Sequence, residues 1–495
     1  MSADKQSVES THYDVVISGM GIGGLVCAYE AVCAGKKNIL IITNRANDFV
    51  RTQRTVLKVE VDLYADHNRI YLQEMISDTN PIKQLAKELY QINDRETVES
   101  IIATINKSME ERPELILSLV IPEGHEVTIK ALLSQIPHTA DNIQDLKMLY
   151  SLEKDVAVSL KDIERYLKRR VDEAAEENKT NIDCLQHHQL QTVNLTDGVA
   201  SVSSLQEIDQ EKIVTFTYLV GADGTRHHAL DLVNAGFSPP LITHKKDEVE
   251  FHEHNVSAYI VVKRKDGLPL ELPEISEQSG DEEIKALKEF YISKDGDLVY
   301  IFGIDKSSYA KSHNLSFKTN FVGEVPGGLI ELDSDQRLTS TSKENILDSI
   351  KEKITNALVE AGMKEVELEL LTVKPSRKHG VAKDKVKFLF FPTHLETAEK
   401  SAVCVNGHYF LLIGDAYRSS FYPLGHGAYD AISYGRYTQE VFQSNAIESF
   451  NEVCAEIADK IQTDVKKFQT KKSEYFEEHK ENIRDAEIYL ASNKL

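Results

Sequence analysis

A glycine-rich loop between two apolar segments, Gly19-Met-Gly-Ile-Gly-Gly24, constrains the fold of this 495-residue chain more than any other feature. Residues 13–18 form a β-branched run that predicts a buried parallel strand. Residues 25–34 predict a helix that ends at Gly35, and residues 38–43 predict a second buried strand. The sequence therefore predicts a strand-loop-helix-strand unit of about 30 residues, which is how a Rossmann-like α/β domain begins.

The spacing of the glycines is typical of a phosphate-binding loop. Gly19 permits a tight turn out of the strand, Gly21 lets a pyrophosphate approach the backbone, and Gly24 lets the helix pack on the strand. Ile22 and Gly23 complete the loop before the predicted helix, whose N-terminus offers unpaired N–H groups that favour an anion. We predict a dinucleotide site, against the alternative of a glycine-rich turn without a ligand.

The end of the second predicted strand lacks the acidic residue that commonly holds the ribose hydroxyls of a dinucleotide. Thr43, Asn44 and Arg45 occupy this position. Asn44 offers an uncharged acceptor for a hydroxyl, whereas Arg45 would suit the 2′-phosphate of NADP. The glycine loop alone therefore leaves the dinucleotide open.

Two further apolar strands end in short turns that contain glycine and aspartate. Residues 213–220 lead into Gly221-Ala-Asp-Gly224, and residues 409–413 lead into Gly414-Asp415. An aspartate in such a turn can accept a hydrogen bond from a ribose hydroxyl, although Asp-Gly is also a common turn without a ligand. After the second turn, Pro423-Leu-Gly-His-Gly427 begins a predicted helix whose positive end would face an electron-rich group, such as a reduced flavin ring.

In this order, the three motifs resemble the single-component FAD-dependent monooxygenases typified by p-hydroxybenzoate hydroxylase. The family patterns are GxGxxG, then DG, then GDAAHxxxPxxGxGxNxGxxDA. The similarity covers about residues 13–45, 158–168, 213–226 and 385–440. The resemblance implies bound FAD, NADPH or NADH as a transient reductant, and oxygenation of a small-molecule or protein side-chain substrate that the sequence does not identify.

The resemblance also implies roles for single residues. Asn44 and Arg45 occupy the ribose-binding position, and Lys161 matches an Arg or Gln that the family places on the cofactor. Asp223 matches the DG aspartate that contacts FAD and affects NADPH use, and Asp415 matches the aspartate that holds the ribityl chain. The expected cofactor-binding residues are Gly19, Gly21, Ile22, Gly23, Gly24, Asn44, Arg45, Arg51, Arg54, Lys161, Asp223, Gly414, Asp415, Pro423, Gly425, His426 and Gly427.

Residues 49–57 offer two arginines, Arg51 and Arg54, for the position beside the pyrophosphate. The same stretch is similar to a segment of the MICAL oxidoreductases, in a register that would place Gln53 there instead. The choice between these registers stays open at the level of sequence.

The chain departs from the family pattern at three places. Tyr417 and Arg418 replace the usual Ala-His, Tyr429 stands at the usual asparagine, and Asn44 replaces the ribose-binding glutamate. These departures leave two alternatives to a monooxygenase: a related flavin reductase, and a non-catalytic FAD-binding scaffold. No catalytic residue is assigned, because a flavin cofactor carries the chemistry itself.

The predicted fold is therefore α/β, with a Rossmann-like FAD-binding domain of the GR2 type, an inserted α+β substrate domain and helical additions. Helices are predicted at residues 81–92, 96–108, 158–176 and 343–361. The expected domains are a disordered tail at 1–12, an FAD-binding domain at 13–235 with a helical elaboration at about 66–150, a substrate domain with a mixed β-sheet at 236–400, a return to the FAD-binding domain at 401–445, and a C-terminal helical segment at 446–495.

Composition narrows the function classes. The 57 Lys and Arg against 79 Asp and Glu give a net charge of -22, which argues against a nucleic-acid or anionic-membrane binder. No apolar run of about 18 residues is present, so no transmembrane helix is expected. The polar residues 1–12 do not match a signal peptide, and the five scattered cysteines are typical of reduced thiols in a cytoplasmic protein. The oligomeric state is not predicted.

Adjacent histidines at His187-His188 and His227-His228 do not have the spacing of metal ligands, and surface or turn positions are expected for them. The sequence therefore predicts no metal site. Tyr417, Arg418, Tyr422 and His426 flank the predicted flavin loop, where they would either contact substrate or simply pack.

Overall fold

The glycine loop lies between strand β1 (Thr11–Ser18) and helix α1 (Ile22–Cys33), and β2 (Asn38–Thr43) follows. The computed structural model divides the chain into two units, Met1–Asp247 with Leu395–Ile461 and Glu248–His394 with Gln462–Leu495. The structure describes residues 11–45, 49, 54–55, 63–92, 94–110, 119–137, 139–153, 158–206, 211–246, 254–264, 290–292, 298–301, 317–324, 327–331, 338–360, 368–371, 388–392, 395–420 and 427–466.

The other strands of the first unit are β3 (Arg54–Thr55), β4 (Val158–Ser159), β5 (Asn181–Gln186), β6 (His188–Asn194), β7 (Val199–Ser204), β8 (Glu211–Gly221), β9 (His244–Lys246), β16 (Glu396–Ala398), β17 (Ala402–Val405) and β18 (His408–Leu412). Its other helices are α2 (Leu63–Glu74), α3 (Pro81–Gln91), α4 (Arg95–Glu110), α5 (Glu126–Leu133), α6 (Ala140–Glu153), α7 (Leu160–Asn178), α8 (His228–Asn234), α10 (Gly427–Arg436), α11 (Thr438–Ser444) and residues 447–461 of α12 (447–466). Short 3₁₀ turns occupy Gly224–Arg226 and Gly414–Ala416.

A mixed eight-stranded sheet forms the centre of the first unit. Its parallel part has the order β18-β8-β1-β2-β5, while β17 pairs antiparallel with β18, and β6 and β7 extend the sheet from the first half of β8. Val15, Val16 and Ile17 in β1 are fully buried, as are Ile39 and Leu40 in β2. β-Branched and leucine side chains on both faces of a central strand explain why these short runs form parallel strands.

Helix α1 ends where the sequence predicts. The N–H groups of Gly35 and Lys36 donate to the carbonyls of Val32 (2.9 Å) and Ala31 (3.0 Å), which is a Schellman motif. Gly35 has φ +79°, a left-handed conformation that costs glycine little. The chain can therefore turn directly into β2.

The long helix α7 packs on α1 through the face predicted from its periodicity. Ile163, Tyr166, Leu167 and Val171 are fully buried. The helix begins two residues later than predicted, because residues 158–159 form β4, which pairs with β3. Ser159 then caps the helix, and its hydroxyl accepts from the N–H of Asp162 at 3.3 Å.

Helices α2 to α6 occupy the region expected to be helical. α3 begins with Pro81 after Asn80, whose side chain caps the N–H of Ile82 at 2.9 Å. The buried Asn68 amide of α2 donates to the Tyr429 carbonyl (3.1 Å) and the Ser433 hydroxyl (2.7 Å). This contact fixes α2 against α10.

The second unit holds β10 (His254–Arg264), β11 (Phe290–Ile292), β12 (Leu298–Ile301), β13 (Phe317–Glu324), β14 (Leu368–Leu371), β15 (Phe388–Pro392) and α9 (Ser340–Glu360). Its six-stranded sheet has the order β11-β12-β13-β10-β14, with β15 also on β10. The pairings in the described strands are antiparallel, rather than the mixed arrangement expected from the sequence. Among the described residues, no helix is long and apolar enough to span a membrane.

Candidate functional site

The parallel strands carry the three motifs to one edge of the sheet, which we call the carboxyl edge. Ser18, the last residue of β1, lies opposite Ile42 of β2 and Gly221 of β8. Leu412, the last residue of β18, also lies opposite Gly221. The loops after β1, β2, β8 and β18 therefore leave the sheet side by side, as ligand-binding loops do in open α/β sheets.

Gly19 and Gly24 are needed because backbone comes too close for a side chain. A Cβ on Gly19, which has φ +121°, would lie 2.2 Å from the Ala222 carbonyl oxygen. A Cβ on Gly24 would lie 2.0 Å from the Gly19 carbonyl oxygen. The loop after β1 is thus pressed against the turn after β8 on one side and against α1 on the other.

The first turn of α1 fits a phosphate. Gly21 is the N-cap residue, and it has no side chain that could cap the helix. Ile22, Gly23 and Gly24 form this turn and carry N–H groups that precede the first intrahelical bond, which is from Leu25 to Gly21 at 2.9 Å. A twelve-residue helix with a glycine N-cap directs these N–H groups and its positive end toward the carboxyl edge.

Asp223 lies at this edge, and only one of its two carboxylate oxygens has a hydrogen-bond partner among the described residues. Its Oδ2 accepts from the N–H of Ala229 at 2.7 Å, which fixes the beginning of α8. Its Oδ1 is buried and has no hydrogen-bond partner within the described part of the chain. Burial raises the pKa of Asp223, while the Ala229 N–H and two nearby histidines lower it. A buried acceptor without a donor fits a ligand hydroxyl.

The turn after β18 brings Asp415 and α10 together. Gly414 has φ +58°, and the Asp415 carboxylate accepts from the Ser420 hydroxyl. A Cβ on Gly427, the first residue of α10, would lie 2.7 Å from that same hydroxyl oxygen. Ala431 of α10 would contact a Cβ on either Gly414 or Gly23. The third motif is therefore packed against the glycine loop, although the two are about 400 residues apart in the chain.

Asn44 and Arg45 are exposed at the end of β2. The Arg45 Nη1 lies 3.9 Å from Oε1 of Glu164, a buried residue of α7. A carboxylate therefore does lie near the end of β2, but it comes from a helix that is far away in the sequence. Glu164 lies far from β2 in the sequence, so the residues that directly follow the strand give no sign of it.

The β3–β4 pairing places Arg54 opposite Ser159, two residues before the half-buried Lys161. It brings two of the predicted cofactor residues into one neighbourhood. Predicted site residues outside the described part of the chain are Arg51, Pro423, Gly425 and His426, and Gln53 and Tyr422 lie there as well.

Tyr417 and Arg418 are buried inside the unit, 3 % and 2 % exposed. The Tyr417 ring packs edge-on against Tyr434, with centroids 5.1 Å apart, and burial raises its pKa. Packing therefore accounts for Tyr417.

A second cluster lies beside these turns. His227 follows the Asp223 turn, His244 lies in β9, and Glu396 lies in β16; one ligand atom of each lies within 4.8 Å of the others. His227 Nε2 is 3.2 Å from Glu396 Oε1, and the His227 and His244 rings are 4.1 Å apart. Burial, and then the neighbouring His227, lower the pKa of His244. The sequence analysis did not anticipate this group.

No protein-family profile matches the chain, and no curated protein matches it. Similar solved structures include a flavoprotein/dehydrogenase from Cytophaga hutchinsonii (10% identity, 94% of this chain and 86% of that chain, TM-score 0.46). They also include PqsL, a probable FAD-dependent monooxygenase from Pseudomonas aeruginosa (11% identity, 96% of this chain and 99% of that chain, TM-score 0.42). A third is the Diels-Alderase PyrE3 of pyrroindomycin biosynthesis (14% identity, 96% of this chain and 79% of that chain, TM-score 0.46). At these identities and TM-scores, the similarities carry no conclusion about the activity of this chain.

Proposed function

We propose that this protein is an FAD-dependent oxidoreductase of the monooxygenase type, with a GR2-type FAD-binding domain and NADPH or NADH as transient reductant. One observation carries the proposal. Among the described residues, Oδ1 of Asp223 has no hydrogen-bond partner, and it lies at the same sheet edge as the first turn of α1, whose N-cap Gly21 has no side chain. An acceptor for a hydroxyl and an anion site at the same edge fit the ribose and pyrophosphate of a dinucleotide.

Asp415 distinguishes FAD from a nicotinamide dinucleotide in this proposal. A third polar turn, packed beside the glycine loop where Ala431 meets both Gly414 and Gly23, suits a longer cofactor with a ribityl chain. Arg45, held near Glu164, lies at the end of β2 and would bind the adenosine half. Lys161 would approach the cofactor from the beginning of α7.

FAD, when bound, supplies hydride acceptance and the reaction with oxygen. The residues of this chain bind and orient it: α1 neutralises the phosphates, Asp223 and Asp415 accept from hydroxyl groups, and the first turn of α10 offers its positive end. We assign no catalytic residue. The substrate, whether a small molecule or a protein side chain, a cytoplasmic location and the absence of a nucleic-acid partner remain part of the proposal.

The first experiment is the absorbance spectrum of the purified full chain, followed by FAD titration of the apoprotein. We expect bound FAD, and an affinity about 10- to 100-fold lower in Asp223→Asn, because an amide NH₂ cannot accept the hydroxyl that Oδ1 would accept. The amide oxygen of the variant can still accept from Ala229, so the fold is retained. Asp231→Asn is the matched control, since Asp231 is exposed on the adjoining helix. A wild-type protein that neither carries nor binds FAD refutes the proposal.

The second experiment measures NADPH and NADH oxidation by the FAD-loaded protein with and without oxygen. Oxidation that depends on oxygen supports a monooxygenase, and oxidation that continues with another acceptor without oxygen supports a reductase. Bound flavin that neither coenzyme reduces would instead support the non-catalytic scaffold.

A further inference from the structure

We propose that His227, His244 and Glu396 form a binding site for a divalent transition-metal ion of the zinc class. Two imidazoles and one carboxylate are a ligand set that suits Zn²⁺, with a water molecule in the fourth position. The three residues belong to the first unit, and the proposal does not depend on the proposed FAD function.

The ligand atoms are free to bind an ion. Nε2 of His227 and Nε2 of His244 are both buried, and neither has a hydrogen-bond partner among the described residues. Glu396 Oε1 lies 3.2 Å from His227 Nε2, but the angles do not make a hydrogen bond. Two buried imidazole nitrogens without a hydrogen-bond partner among the described residues, close to one carboxylate, need an explanation, and a shared cation supplies it.

One ligand–ligand distance matches the spacing expected around a metal ion. Two ligands each about 2.0–2.1 Å from Zn²⁺ at a tetrahedral angle lie about 3.3 Å apart. The observed 3.2 Å between His227 Nε2 and Glu396 Oε1 agrees with this spacing. The His227 and His244 rings are tilted by 50° to each other, and one ligand atom of each lies within 4.8 Å of the other.

The surrounding backbone orients these ligands. Nδ1 of His227 lies 3.3 Å from the Ala416 carbonyl oxygen, so Nδ1–H can donate there and leave Nε2 as the ligand atom. His244 pairs with Ala398 in the β9–β16 sheet, which places Glu396 diagonally on the same face. The adjacent His228 is not part of the site, because its Nε2 lies 2.8 Å from the Leu190 carbonyl.

An ion at this position would fasten three distant segments: the turn after β8, β9 and β16. It would also hold the carbonyl of Ala416, which directly follows Asp415. Its binding would therefore tie these segments together beside the carboxyl edge.

The test is zinc binding to the untagged full chain after treatment with a chelator, measured by titration calorimetry with ZnCl₂. We expect one ion per chain, and at least about tenfold weaker binding in His244→Gln and in Glu396→Gln. The matched controls are His12→Gln and Glu399→Gln, because both residues are exposed and lie outside the cluster. Zinc should also raise the Tm of the wild-type and control proteins, but not that of the two ligand variants.

Cobalt makes the test independent of the variants. Co²⁺ in place of Zn²⁺ should give the visible absorption of a four-coordinate ion without the near-ultraviolet band of thiolate ligation. A thiolate band would assign the ion to cysteine, such as the exposed Cys33 or Cys404, and would overturn the proposal. Zinc affinity unchanged in both His244→Gln and Glu396→Gln, or no binding by the wild-type protein, would overturn it equally.

Discussion

Glu30 is a carboxyl group inside the helix that follows the glycine loop, and it makes the stability of the first unit depend on pH. Glu30 is buried, with only 4 % of its surface exposed. Burial raises its pKa from the ordinary 4.5 to about 7, although the hydrogen bond from Tyr71 and the charge of Arg436 act in the opposite direction. The folded protein therefore holds a proton on Glu30 at pH values where the unfolded chain has released it.

The sign and size follow from this difference. Because the folded state binds more protons between pH 4.5 and about 7, the free energy of unfolding falls as pH rises through this window. The two pKa values differ by about 2.5, so the loss approaches about 3 kcal/mol above pH 7, at about 1.36 kcal/mol for each pH unit. At about pH 5, only about 1 kcal/mol of it has been lost.

Glu30→Gln removes the titration and keeps an oxygen that can accept from Tyr71. Relative to the wild-type protein, the variant should gain about 2 kcal/mol more stability at about pH 8 than at about pH 5. Urea unfolding followed by far-ultraviolet circular dichroism at both pH values measures this difference, in which any cost that is independent of pH cancels. Glu176→Gln, on the exposed face of α7, is the control. An equal effect of Glu30→Gln at both pH values would refute the reasoning.

Two further predictions concern packing at the carboxyl edge. Gly24→Ala should destabilise the protein by about 1–3 kcal/mol and weaken FAD binding more than tenfold, because the new Cβ meets the Gly19 carbonyl oxygen at 2.0 Å. FAD titration and urea unfolding check this, with Gly236→Ala as the uncrowded control; equal affinities in the two variants would contradict it. Asn68→Ala should lower the free energy of unfolding by about 1–3 kcal/mol, because the Tyr429 carbonyl and the Ser433 hydroxyl in α10 lose their donor. Urea unfolding measures this loss, and an unchanged midpoint would show that the amide does not tie α2 to α10.

The parallel core of the first unit could be predicted from the sequence because its strands are short apolar runs with clear ends. Residues 13–18, 38–43 and 409–413 are apolar on both faces, and each ends at a glycine or polar turn. The structure has strands there at Thr11–Ser18, Asn38–Thr43 and His408–Leu412. Once such strands are parallel, their last residues must meet at one edge, so the proximity of the three motifs followed from local patterns.

Contacts that depend on short or polar elements could not be predicted. β9 and β16 have three residues each, which is too short for a periodic pattern, yet their pairing brings His244 and Glu396 together across about 150 residues. Glu164 lies among charged residues of α7, so the sequence gives no sign that it is buried. Its burial follows from where the helix packs. Such features are set by tertiary packing rather than by local propensity.

Strand β8 has two different neighbours along one side. Residues 211–215 pair with β7, which comes just before it in the chain, whereas Tyr218–Gly221 pair with β18, which begins at His408. At about 5–20 residues per second, a ribosome needs roughly ten to forty seconds between these strands. During that interval the nascent chain carries an unpaired strand end beside the Asp223 turn, where another chain can add. This strand end therefore stays open to pairing with another nascent chain until residues 408–412 have been synthesised.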